Sequence, residues 1–102
     1  MEPECRSIAR EMIPAVRAYL ADVMYTKYHY KQQEIANRLG LAQVAVSKYI
    51  NMKYSSSVAR AKAGIARRIA GTAFVKEILE SKDPDEVNRR IERLCEEQIG
   101  VK

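Results

Sequence analysis

Residues 32–50 read QQEIANRLGLAQVAVSKYI, two short apolar-patterned segments on either side of one glycine, with small residues where bulk is the norm. Two helices that cross closely at a short turn have definite steric requirements, and this stretch meets them position by position. Ala36 is small where the second helix must approach the first, and Ile35 and Leu39 flank it on the side to be buried. Gly40 supplies the positive φ that ends the first helix without strain, and Leu41 plugs the turn. Val46, Tyr49 and Ile50 hold the second helix to a core. That leaves Gln43, Val44, Ser47, Lys48 and Asn51, at i, i+1, i+4, i+5 and i+8, on one outward face.

A face made of amide, hydroxyl, ammonium and one aliphatic side chain is a poor core and a good reader of base edges. A glutamine presents one acceptor and two donors in a plane, which pairs bidentately with adenine at N6 and N7. Ser47 reaches a base or a phosphate, and Val44 packs on a thymine methyl. Lys48, Lys53 and Arg60 suit phosphates, which supply affinity with little sequence choice. Tyr28, Tyr30 and Tyr54 border the stretch, each with a hydroxyl to offer a phosphate or a ring to half-bury at a helix end.

The charge distribution agrees. The chain of 102 residues carries a net charge of +5, with 18 Lys and Arg against 13 Asp and Glu. Residues 27–68 hold nine basic side chains against one acid, Glu34, whereas residues 83–102 hold four basic and six acidic ones. The positive excess therefore belongs to the middle of the chain, around the quoted stretch.

Outward from that stretch the chain reads as helix. Apolar residues make up 47% and charged residues 30%; with 4 Gly, 3 Pro and no period-2 run of β-branched residues, the pattern predicts an all-α fold. The length suits one domain, 1–102, of five to six helices. A first helix is expected over residues 3–12, and Pro14 suits the first turn of a second with Val16, Leu20 and Val23 on one face. YTKYHYK is a polar connection. Residues 55–57, SSS, form a loop ending in an N-cap, before a helix with Val58, Ile65 and Ile69 on its apolar stripe. Gly71 and Thr72 either stop that helix and cap another or lie within a continuous one. Asp83-Pro84-Asp85-Glu86 is a cleaner start, with Asp83 as cap, Pro84 first in the helix and Glu86 third. The last helix carries Val87, Ile91, Leu94 and Gln98 on one stripe, with Cys95 beside it.

Residues 31–51 closely resemble the helix-turn-helix of the lambda repressor and Cro class of regulators, with Gln32 opening the first helix, Gln43 the second, and ANRLG and AVSKYI in frame. IPAVRAYLA upstream is similar to the preceding helix in small archaeal members of that class. The resemblance covers about half the chain, residues 13–53; the C-terminal half matches only in being helical. It implies a lambda-repressor-like fold and sequence-specific binding of double-stranded DNA by a transcriptional regulator. By it, Gln43 hydrogen-bonds a base in the major groove while Gln32 contacts a phosphate and supports Gln43. Taken together, base contacts are expected from Gln43, Val44, Ser47 and Lys48, and phosphate contacts from Gln32, Lys31, Tyr30, Asn51, Lys53 and Arg60. A homodimer is expected, because one short helix reads few base pairs. Residues 56–102, and the stripe Val87, Ile91 and Leu94 in particular, are the preferred dimer surface, with closure of the monomer's own core as the alternative.

Other readings compete. The same basic block suits a nucleoid-type or RNA-binding protein without sequence choice, and the same fold suits an antitoxin-like interaction module working through its C-terminal helices. Catalysis has little to stand on: the one histidine, His29, lies in the tyrosine-rich connection, and no phosphate-binding glycine loop is present. No cofactor is expected. The acidic MEPEC start is not followed by an apolar run, so neither a secretory signal nor a membrane span is expected, and the location is cytoplasmic. Cys5 and Cys95 are then two free thiols or one intramolecular disulfide, with no metal.

Overall fold

The computed structural model describes residues 3–69 and 73–99, and the side chains of residues 12–69 and 73–96. Six helices and no strand occur among them: α1 (Pro3–Thr26), α2 (Gln32–Leu39), α3 (Gln43–Ile50), α4 (Ser56–Ile69), α5 (Phe74–Glu80) and α6 (Pro84–Ile99). The all-helical expectation holds.

One helix occupies the place of the two expected at the N-terminus, because α1 runs through Pro14 without interruption. A proline inside a helix removes the hydrogen bond to the carbonyl four residues back and costs about 3 kcal/mol. Burial offsets this. Just beyond the proline, Ala15, Val16, Ala18, Leu20, Ala21 and Met24 are all fully buried, and a full Leu or Met side chain alone contributes about 2 kcal/mol. α1 packs against α2, α3, α4 and α6, so it is the central rod of the fold.

The α2–α3 pair follows the sequence closely. Gly40 sits at φ 68°, ψ 36°, and both its N–H and that of Leu41 donate to the Ala36 carbonyl. The left-handed residue thus satisfies a helix end that has no side-chain alternative. Ile35, Ala36, Leu39 and Val46 are buried, while Leu41, Tyr49 and Ile50 are partly buried against the same core. At the end of α3 an equivalent device uses a different residue. Met52 takes φ 59°, the Met52 N–H donates to the Tyr49 carbonyl at 3.2 Å, and the Lys53 N–H donates to Lys48 at 2.8 Å.

Two caps mark the C-terminal half. Ser55 Oγ accepts from the Val58 N–H at 3.2 Å, so the cap is the first serine of SSS and α4 begins at Ser56, two residues before its apolar stripe. Asp83 Oδ1 accepts from the Asp85 N–H at 3.0 Å, with Pro84 first in α6 as expected. Glu86 does not close the reciprocal half of a capping box; it takes the Ser81 hydroxyl and the Arg90 guanidinium instead. The cap expected at Gly71 and Thr72 lies outside the described residues.

α6 decides between the two places left open for its apolar stripe, against the preferred dimer surface. Val87 and Ile91 are fully buried, Leu94 and Cys95 nearly so, and all four belong to the one core formed with α1, α2 and α4. The stripe favoured as a dimer surface closes the monomer, because α6 packs across both α1 and α2. An apolar face can be buried only once. Gln98 on the same stripe lies outside the described side chains.

Candidate nucleic-acid interface

α3 has no acidic residue. Of the five side chains expected to face outward, Gln43, Val44, Lys48 and Asn51 are exposed and Ser47 is half-buried beside them. Val44 is 65% exposed, an aliphatic side chain outside the core. The backbone places them: burying Val46 and half-burying Tyr49 and Ile50 turns the opposite side of this eight-residue helix to solvent.

No side chain caps α2 or α3. Lys31 and Ala42, the two N-cap residues, have extended backbones and make no side-chain cap bond. The first two N–H groups of each helix therefore have no partner among the described residues, and the helix dipole makes that end attractive to anions. Gln32 and Gln43 stand first in these helices, and neither amide has a hydrogen-bond partner among the described residues. The support of Gln43 by Gln32 that the family resemblance implies is not formed in the free protein.

The basic residues divide into committed and uncommitted ones. Arg38 bonds Glu34 at 3.2 Å and the Leu79 carbonyl at 3.0 Å, and lies 4.7 Å from the centre of the Tyr30 ring. Lys62 donates to the Tyr54 hydroxyl at 3.2 Å and lies 3.8 Å from Asp22. These two are structural. Lys27, Lys31, Lys48, Lys53, Arg60 and Arg67 pair with no acid among the described residues. Lys31, Lys53 and Arg60, all expected at phosphates, are exposed; Tyr30 is half-buried under Arg38.

Two contacts were not read from the sequence. Asn51 Nδ2 donates to the Ser47 carbonyl at 2.9 Å and approaches Ser47 Oγ at 3.3 Å; the i, i+4 spacing of the pair is the signal that would have found it. Arg17 Nη2 donates to Asn88 Oδ1 at 2.9 Å, and Asn88 Nδ2 donates in turn to the Pro84 carbonyl at 3.0 Å and the Leu39 carbonyl at 3.4 Å. That chain ties α1 and α6 to the last residue of α2, and residues 71 apart in sequence give no local signal of it.

Cys95 is a free thiol, 3% exposed. Burial pushes its pKa up to about 11; Arg17 pulls it down, and Glu92 and Glu96 add to the rise. The side chain of Cys5 lies outside the described residues. Among the described residues no group of three or more His, Cys, Asp or Glu gathers to hold a metal, and no helix is long and apolar enough to cross a membrane. No protein-family model, curated protein or solved structure matches the chain.

Proposed function

We propose that this chain binds double-stranded DNA with sequence preference, by laying the outward face of α3 in the major groove, and that it regulates transcription. The observation that carries the reading is the composition of that face: Gln43, Val44, Ser47, Lys48 and Asn51 with no acid on α3, between Lys31 before it and Lys53 and Arg60 after it, which pair with no acid among the described residues. Hydrogen-bonding side chains and one bare aliphatic match what base edges and thymine methyls offer. The uncapped starts of α2 and α3 suit phosphate oxygens, and Lys31, Lys53 and Arg60 add the salt-dependent share of affinity. The lambda repressor and Cro resemblance of residues 31–51 points the same way. Binding as a pair of copies on half-sites about 34 Å apart belongs to the proposal, since one short helix reads few base pairs.

Selection from a pool of randomised duplexes tests it. Enrichment of one motif, and a loss of about 1–3 kcal/mol on that motif but not on random DNA for Gln43→Ala, is the expected result. Enrichment of nothing, with affinity that vanishes in salt, would assign the basic block to nucleoid-type binding.

A further inference from the structure

We infer that Asn51 sets the direction of the hydrogen bond that Ser47 makes to DNA, so that the pair reads N7 of a purine; this rests on the proposed function. An amide nitrogen carries two N–H groups, and here Nδ2 faces two oxygens of Ser47, the carbonyl at 2.9 Å and the hydroxyl at 3.3 Å. Turning the amide over would set Oδ1 against that carbonyl, acceptor facing acceptor, so the orientation is fixed by chemistry. Two consequences follow.

The first concerns Asn51. Nδ2 is held against Ser47, and the side of the amide with no hydrogen bond among the described residues is Oδ1, an acceptor that a phosphate oxygen repels. As it stands the amide turns its donor edge to Ser47, and the phosphate contact expected of Asn51 needs that edge turned outward.

The second concerns Ser47. A serine hydroxyl in a groove is ambiguous, able to donate to one base or accept from another. Here Oγ accepts from Asn51, while its own proton has no acceptor among the described residues. A hydroxyl that accepts is polarised into a better donor. One lone pair of Oγ is taken and its proton is left over, so Ser47 meets a base acceptor without competition, whereas a base amino group shares Oγ with Asn51. The major-groove acceptors are N7 of either purine, O6 of guanine and O4 of thymine, and N7, the one both purines carry, is assigned to Ser47. Val44, three residues before it on the exposed face, is free to take a neighbouring thymine methyl.

The experiment compares the wild type with Ser47→Ala, Asn51→Ala, the double variant and Ser47→Thr on the duplex that the wild type enriches from a randomised pool. Each purine of that duplex is replaced in turn by its 7-deaza analogue. At one position the wild type and Ser47→Thr lose about three- to tenfold in affinity, the value of one neutral hydrogen bond, while both alanine variants are indifferent and the double variant is no worse than either. Ser47→Ala shows whether the N7 contact belongs to Ser47; should Asn51→Ala unfold, Asn51→Asp, a near-isostere that accepts the Ser47 proton instead of donating to Oγ, takes its place and should be equally indifferent. A wild type indifferent to every 7-deaza purine, or an Asn51→Ala that keeps the wild-type penalty or weakens all duplexes equally, overturns the inference and leaves the proposed function standing. A wild type that enriches no duplex overturns both.

Discussion

Gly40 and Met52 occupy the same left-handed backbone region at the ends of adjacent helices, yet only one of them is a glycine. At Gly40 a Cβ would lie 3.1 Å from Pro84 Cβ and 3.2 Å from Asn88 Nδ2, closer than α6 can easily yield. Gly40→Ala should therefore destabilise by about 1–3 kcal/mol, conformational strain plus contact. Met52 is the mirror case: it is 66% exposed, so its side chain adds little packing to offset the strain. Met52→Gly should stabilise by up to about 1 kcal/mol, reduced by the freer unfolded chain. Urea titration of both variants, read as opposite shifts of the midpoint, checks the pair. Cys95 gives a pH test. Its pKa, raised by burial from 9.0 to about 11, stays above its unfolded value, so its stabilising share is fully present below pH 9 and is lost as pH rises through about 11. Unfolding free energies measured at pH 8 and above pH 10 should show an alkaline loss that shrinks in Cys95→Ala.

At the scale of elements, what could be read in advance was whatever depended on near neighbours in the chain. The bounds of α2, the glycine stop and the Asp83-Pro84 start of α6 all follow from contacts within five residues, and each appears where the pattern put it. The outward face of α3 was legible for the same reason, since burying Val46 decides which side remains. Pro14 misled because its local preference for a helix start was outweighed by the burial of Ala15, Val16 and Leu20 against distant helices. Asn51 misled differently: its exposure was foreseen, and its partner one turn back was not. On the proposed function, α3 also separates two kinds of contact. Lys48 is exposed and has no acidic partner among the described residues, so Lys48→Ala should weaken binding to all duplexes and lower the slope of log affinity against log salt by about one unit. A loss confined to the selected motif would make Lys48 a base reader instead, as its place on the face also allows.

For the whole molecule the decisive fact is that α6 closes the core rather than an interface. A chain ending at Lys82 lacks Val87, Ile91, Leu94 and Cys95, and with them the cover of α1 and α2. Large-to-small changes at single buried positions cost about 2–5 kcal/mol each, and removing four such residues exceeds the stability of most domains of this size. That chain should show little helical circular dichroism and no cooperative melt; a folded product would put the core elsewhere. The sequence left this undecided because an amphipathic helix announces that one face will be buried and says nothing of what buries it. If the proposed pair of copies forms, it must use a surface other than this stripe, and sedimentation of the full chain reports whether it does.

The tie from Arg17 through Asn88 to the Leu39 carbonyl bears on how such a protein would behave in a cell that makes it incompletely. During synthesis the α2–α3 unit leaves the ribosome well before α6, and until α6 arrives the turn between them has neither Asn88 nor Pro84 to rest on. On the proposed function, a message cut short after α5 would yield a polypeptide with the side chains of the α3 face and no frame to hold them. Such fragments would then not compete with intact copies for DNA, and the chain's own premature products would be recessive and fall to proteases.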